Sequence, residues 1–319
     1  MEVKPIVVVS KCLGFQACRY NGQIENDEFV NKLNDYVRFV PVCPEIEIGL
    51  EIPRNSIRVV NIDGDFKIIE TKTGRDLSIM MNDFSNTFLN NLEEVDGFLL
   101  KTRSPSCGIK DVKIYSSIDK GAAVRKGKGF FGGEVTKRYP NLAVEDEGRL
   151  KDYKIREHFL TKLYTMARFR ELKKTNSIVE LKKFHKYNEL LLMYYNKKGF
   201  RKLSDIIKKE SEESTERIIK EYEYYLGLVL ARVPRYTSNI SLMLSIIKVF
   251  QDKISERETV FILDALEKYR SGNIPFSVPL YLIKGYLIRF EVFSFINQSF
   301  FEPYPHSLVE MRDSGKILT

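Results

Sequence analysis

Short β-branched runs alternate with amphipathic stretches through the first half of the chain, and after residue 150 the runs stop. Residues 6–10 (IVVVS), 37–42 (VRFVPV), 97–100 (GFLL) and 112–115 (VKIY) read as strands, because apolar runs this short suit a sheet buried on both faces. Residues 57–62 and 66–70 flank Asp63-Gly64-Asp65, a hairpin signal. Phe29, Leu33 and Tyr36 recur at helical spacing and predict a helix starting near Glu25. Asp76 is a good N-cap for a helix through Glu94, with Ile79, Met80, Asp83, Phe84, Phe88 and Leu92 along its inward face.

Glu145 to Leu150 reads as a linker, and long amphipathic patterns follow it. They predict helices at 152–173, 177–195, 200–230, 238–250, 255–271 and 276–298, punctuated by Pro234, Pro275 and Pro279. At 319 residues two domains are expected. The first, 1–149, is an α/β domain with a Rossmann-like or flavodoxin-like, mostly parallel sheet carrying helices on both faces. The second, 150–319, is all-α.

Composition narrows the class. No apolar run approaches the roughly 18 residues of a membrane helix, and the start MEVKPIVVVS has no secretory pattern, so a cytoplasmic protein with no membrane partner is expected. Charge is uneven: residues 151–319 hold 30 Lys and Arg against 21 Asp and Glu, whereas residues 1–150 hold 21 against 22. A basic helical half suits RNA, but lysine-rich solvated helix faces are the commoner source of such a surplus. His158, His185 and His306 all lie in that half and none pairs at i, i+4, so each reads as a packing residue. Dense aromatics there read as core.

The chemistry concentrates at strand ends. Cys12 follows 6–9, Cys43 follows 37–42, and Cys107 follows 97–100 through Arg103-Ser104-Pro105-Ser106. The carboxyl rim of an open α/β sheet is where ligands bind. Four cysteines in a reducing compartment read as metal ligands or reactive thiols. Gaps of five, 24 and 63 residues between Cys12, Cys18, Cys43 and Cys107 offer no close pair of the kind structural zinc uses. An iron–sulfur cluster accepts thiolates from separate loops, and buried cysteines are also ordinary small hydrophobes. The pattern leaves all three open. Glu45, two residues past Cys43, would sit beside such a centre as an acid/base group, or as an exposed loop glutamate without one. Ser104 and Ser106 would bind substrate or cap a turn. Arg19, Arg54 and Arg103, one in each cysteine-bearing loop, would clamp an anionic substrate or pair with Glu45, Glu47 and Glu51. The stretch 127–133 (GKGFFGG) matches neither phosphate-loop pattern and reads as a lid or helix approach.

The segments VSKCLGFQACRYNG (9–22), VCPEIEIGLEIPR (42–54) and LKTRSPSCG (100–108) resemble, in order, three motifs of the thiouracil desulfidase (TudS-type) family. The helical half, with YKIREHFLTKLYTMARFREL, LKKFHKYNELLLM and IPFSVPLYLIKGYL, is similar to the YbgA-type domain often fused behind it. The resemblance implies a [4Fe-4S] cluster on Cys12, Cys43 and Cys107, with one iron open to the sulfur of a thiolated nucleobase, nucleoside or nucleotide, which leaves as sulfide. It implies Glu45 and Ser104 as acid/base and positioning groups, with Cys18 the runner-up ligand. Versions of the helical domain carry histidines where this chain has Asn188, Tyr195, Thr237 and Met243, so no histidine-based role carries over. An iron–sulfur-dependent tRNA sulfur transferase, a tRNA-modification activity that would need an activating nucleotide, and a non-enzymatic RNA-binding module with a structural metal are the rival expectations.

Overall fold

The apolar run at Ile6–Ser10 forms β1, the middle of a fully parallel sheet. In chain order the remaining elements of the first half are α1 (Glu28–Leu33), β2 (Arg38–Val42), α2 (Pro44–Glu47), β3 (Ile57–Ile62), β4 (Asp65–Glu70), α3 (Ser78–Asn91), β5 (Gly97–Leu100), β6 (Val112–Tyr115), β7 (Ala123–Gly127), α4 (Phe130–Arg138) and β8 (Ala143–Asp146). The second half holds α5 (Tyr153–Thr175), α6 (Ile178–Tyr187), α7 (Glu189–Lys208), α8 (Thr215–Val229), α9 (Tyr236–Ile247), α10 (Glu256–Arg270), α11 (Ser277–Arg289) and α12 (Phe293–Ile296). The structure, a computed structural model, describes residues 3–118, 122–234 and 236–309, without the side chains of 236–238. Among the described residues no helix is long and apolar enough to cross a membrane.

The first sheet has the order β2-β1-β5-β8, every pair parallel. Counting only these four strands the order is 2-1-3-4, so the direction of winding reverses between β1 and β5. Such a switch point opens a crevice at the carboxyl ends of the strands. Val8, Val42, Phe98 and Leu100 pack one face against Leu89, Phe131 and Val135 of α3 and α4. On the other face Gly97 lets Leu163 of α5 and Ala143 approach its backbone, where a side chain would collide with both. At the amino edge Asp96 accepts from Ile6 N–H (2.7 Å) and pairs with buried Arg170 (3.0 Å). Burial pushes the Asp96 carboxyl up despite that partner.

A second sheet, not foreseen as separate, takes the order β4-β3-β6-β7. The hairpin at Asp63-Gly64 is present, with both residues at positive φ, and β3 pairs β6 in parallel. The helix 78–91 is displaced from its expected phase. Met81, Ser85 and Leu89 face inward and Ile79 is 77% exposed, because Leu77 and Met81 turn toward Ile48 at the end of α2 and Ile57 and Ile68 of the second sheet. The expected start near Glu25 moves to Glu28, where Asp27 accepts from Phe29 and Val30 N–H.

The chain divides into two compact units, Met1–Arg170 and Glu171–Thr319. In the second, the single helix expected over 200–230 is two, because Ser214 caps a new helix by accepting from Arg217 N–H. Asn196 is extended within α7 and its side chain caps the following turn through Gly199 N–H (2.9 Å). The helix expected over 276–298 breaks at Glu291, which takes φ +56°. Asn188 is fully buried and accepts from Ser299 Oγ (2.7 Å), and Met243 lies in the core with Ile246 and Phe250. The side chain of Thr237 lies outside the described residues.

Candidate metal centre and acid/base site

Three loops leave the carboxyl rim of the parallel sheet at the switch point. The loop after β1 folds back on itself: Leu13 N–H donates to Ser10, and Phe15 and Gln16 N–H both donate to the Lys11 carbonyl. Gly14, at φ +88°, makes that return possible. The turn brings Cys18 back against Cys12 despite five intervening residues. After β2, Cys43 caps the four-residue helix α2, with Pro44 at its first position and Glu45 in its first turn. After β5, Ser104 Oγ accepts from Ser106 N–H (3.3 Å) and Cys107 N–H (3.1 Å), a hydroxyl-capped turn that fixes the third cysteine.

All four cysteines reach this rim. The Cys18 thiol is electrostatically coupled to that of Cys12, and Cys107 lies within electrostatic reach of Cys43 and Glu45. Cys18, Cys43 and Cys107 are buried, while Cys12 is partly exposed. Contact with Cys12 pushes the Cys18 thiol up to about 11; contact with Cys18 raises Cys43; burial raises Cys107. Thiols crowded this way resist ionisation together until a positive centre compensates them, as metal ligands do. Among the described residues no three His, Cys, Asp or Glu side chains converge at the spacing of a single metal ion. Thiols drawn from separate loops are donors of the kind an iron–sulfur cluster uses.

Glu45 joins the loops. Its Oε1 accepts from Ser106 Oγ, and its Oε2 accepts from Arg54 Nε (2.9 Å) and Nη2 (2.5 Å). Arg54 Nη2 also donates to the Cys18 carbonyl at 3.0 Å. Because Ser106 donates to the carboxylate, the 3.1 Å Ser104–Ser106 contact runs from Ser104 to Ser106. The result is a directed chain, Ser104 to Ser106 to Glu45. Of the arginines foreseen as an anion clamp, Arg54 is engaged by Glu45, Arg19 pairs with Glu25 (2.9 Å), and Arg103 is exposed at φ +56°.

Two further features support the rim: Lys101, which the sequence did not single out, and the helix approach expected of 127–133. Lys101 bridges Glu147 and Glu25 (3.2 Å), while its N–H donates to Ser10 Oγ (2.8 Å), tying the loops after β1, β5 and β8. Burial lowers the Lys101 amine, but the two carboxylates outweigh it and hold it above its usual value. The glycine-rich stretch is the second feature. Gly129, Phe130 and Gly132 N–H at the start of α4 donate to the carbonyls of Gly108, Pro105 and Ser106. A Cβ on Gly132 would overlap the Cys107 carbonyl, and one on Gly129 the Ser106 carbonyl. Two glycines three apart at a helix start were the available signal.

The family model for 2-thiouracil desulfurase matches residues 7–147, and that for a protein of unknown function (DUF1722) matches residues 189–305. The uncharacterized protein YbbK of Bacillus subtilis (strain 168) is 32% identical over 111 residues, spanning 32% of this chain and 73% of that protein. Among solved structures, a [4Fe-4S]-dependent thiouracil desulfidase, TudS, is similar at 26% identity and TM-score 0.37, over 46% of this chain and 94% of its own.

Proposed function

Because this chain belongs to the 2-thiouracil desulfurase family, we propose that it removes sulfur as sulfide from thiolated uracils: 2- or 4-thiouracil, thiouridine or its nucleotides. The observation that carries this reading is the meeting, at one switch-point rim, of three strand-end cysteines with the Ser104–Ser106–Glu45 chain. Water supplies the incoming oxygen, the products are the oxo-pyrimidine and hydrogen sulfide, and no electrons are gained or lost. The setting is the cytoplasm.

In this reading Cys12, Cys43 and Cys107 hold a [4Fe-4S] cluster, with Cys18 beside it. When bound, the cluster supplies an iron as a Lewis acid toward sulfur. Glu45 Oε1 takes the proton of the attacking water, exchanging its bond from Ser106 for one from that water. Arg54 keeps Oε2 fixed, so the carboxylate cannot swing away from the ring. Ser104, at the outer end of the chain, turns its single O–H from Ser106 to the substrate and orients it. Thr102 N–H and Lys101, both held by Glu147, anchor the strand end from which the third cysteine loop departs.

The test is anaerobic reconstitution with iron and sulfide, followed by incubation with 2- or 4-thiouracil and assay of sulfide and uracil. The wild type releases both in equal amounts. Glu45→Gln retains its iron and slows release by about 10²–10⁴-fold. Normal turnover by Glu45→Gln would remove Glu45 from the mechanism.

A further inference from the structure

In the reaction above Lys101 serves only the strand end of the third cysteine loop, yet its polar atoms also reach both ends of the loop that carries Cys12. At the near end its backbone N–H donates to Ser10 Oγ (2.8 Å), on the last residue of β1. At the far end its ammonium pairs with Glu25 (3.2 Å), whose own N–H donates to the Cys12 carbonyl (2.9 Å). Arg54 fastens the middle through the Cys18 and Tyr20 carbonyls. Residues 14–17, 20, 21, 23 and 24 are exposed, so outside Leu13 and Cys18 burial contributes little to where this loop sits. The ammonium is itself fixed, because the enclosed Glu147 carboxylate, 4% exposed, accepts from it and from Thr102 N–H (2.8 Å). A lysine suits this post, since three donors on one compact charge can serve carboxylates from two loops.

We propose that Lys101 is the positioning residue for the first cysteine loop. By gripping Ser10 and Glu25 together it sets Cys12 at a fixed place relative to Cys107, which follows Lys101 in the same segment. The Glu25 contact is the releasable half of the grip. That carboxylate is partly exposed, whereas Glu147 is enclosed, so removing the Glu25 charge frees the loop end and still leaves Lys101 paired. Salt acts the same way, screening the outer pair more than the inner one. The consequence for iron and turnover rests on the functional reading above; the grip itself rests only on these contacts.

Hydrogen exchange followed by mass spectrometry, on the full chain freed of iron by chelation, measures the grip directly. In Glu25→Gln the amides of 12–25 are expected to exchange about threefold faster, the scale of losing a partly exposed pair, while those of 97–108 keep their wild-type rates. Sodium chloride at about 0.5 M should speed 12–25 in wild type and leave Glu25→Gln unchanged. Arg19→Gln removes the other cation beside Glu25 (2.9 Å) and should leave 12–25 at the wild-type rate. Lys101→Met should speed both segments, and adding Glu25→Gln to it should speed 12–25 no further. The Glu25 and Arg19 variants decide the matter even if Lys101→Met does not fold. After anaerobic reconstitution, Glu25→Gln should lose iron to a chelator faster and show a lowered kcat for sulfide release with KM unchanged. Those two readouts fall with the functional reading, whereas the exchange pattern stands without it. Wild-type exchange in Glu25→Gln, acceleration spread over the whole unit, or equal acceleration in Arg19→Gln would overturn the proposal.

Discussion

In the unit Met1–Arg170, polar side chains from distant parts of the chain gather at one end of one sheet: Glu45 with Arg54 and Ser106, and Lys101 with Glu25 and Glu147. In the unit Glu171–Thr319, charge is spread over helix surfaces in short-range pairs such as Lys183–Glu180, Lys208–Asp205 and Lys268–Asp264. Its buried polar groups close on themselves. His185 sits between Tyr222 Oη (2.9 Å) and Ser204 Oγ (3.0 Å), stacked on Phe200, with both ring nitrogens used. The contrast separates a scaffold that converges long-range polar groups on a rim from one whose polar groups stabilise helices locally. Exposed pairs of the second kind contribute little each to stability.

The sharpest break between the units is expected from the cysteines. Cys107→Ala should abolish iron retention and lower sulfide release by about 10³-fold or more, the scale of losing metal-based stabilisation. His185→Gln should leave release within about twofold, since the contrast places no chemistry there. Parallel turnover assays with iron counts check both.

Gly132→Ala comes next. Its methyl meets the Cys107 carbonyl, so folding should weaken by about 1–3 kcal/mol, and displacement of Cys107 should cost turnover on the order of a hundredfold. Gly133→Ala is the control, because its Cβ would meet only Lys128 Cβ at 3.6 Å. Urea unfolding and the visible absorbance of reconstituted protein separate the two effects.

How far the sequence leads differs between these residues. Cys12, Cys43 and Cys107 are visible at the ends of apolar runs because a buried parallel strand leaves a local signature. The Ser106–Glu45 bond spans 61 positions, and nothing local announces it. The pairing of Arg54 with Glu45 was one of two foreseen outcomes; only geometry decides between a free clamp and an ion pair. The second sheet was hidden for the same reason, since β3 and β6 pair across α3 and β5. Helix boundaries failed where one polar residue outweighs amphipathic continuity, as Ser214 does.

In the helical unit the effects are smaller and tied to pH. Burial pushes the His185 ring down to about 4, below its ordinary 6.5, so between those values the unfolded chain binds more protons than the folded one. The stability contributed by the neutral ring is complete above 6.5 and is lost as pH falls toward 4, by about 2 kcal/mol for this half-buried group. His158 in the other unit shifts the same way. Unfolding followed by circular dichroism should therefore show stability falling with acid in wild type, with a shallower slope in His185→Gln.

Smallest of all, Lys182→Ala removes an exposed pair with Glu210 (2.7 Å) and should change stability by less than about 1 kcal/mol, an effect that 0.5 M salt erases.

Iron and acid-labile sulfide per chain after anaerobic reconstitution test the convergent rim most directly. The account predicts about four of each in wild type, and retention of neither in a Cys12, Cys43 and Cys107 triple alanine variant. One zinc per chain without labile sulfide, or full iron in that variant, would contradict it.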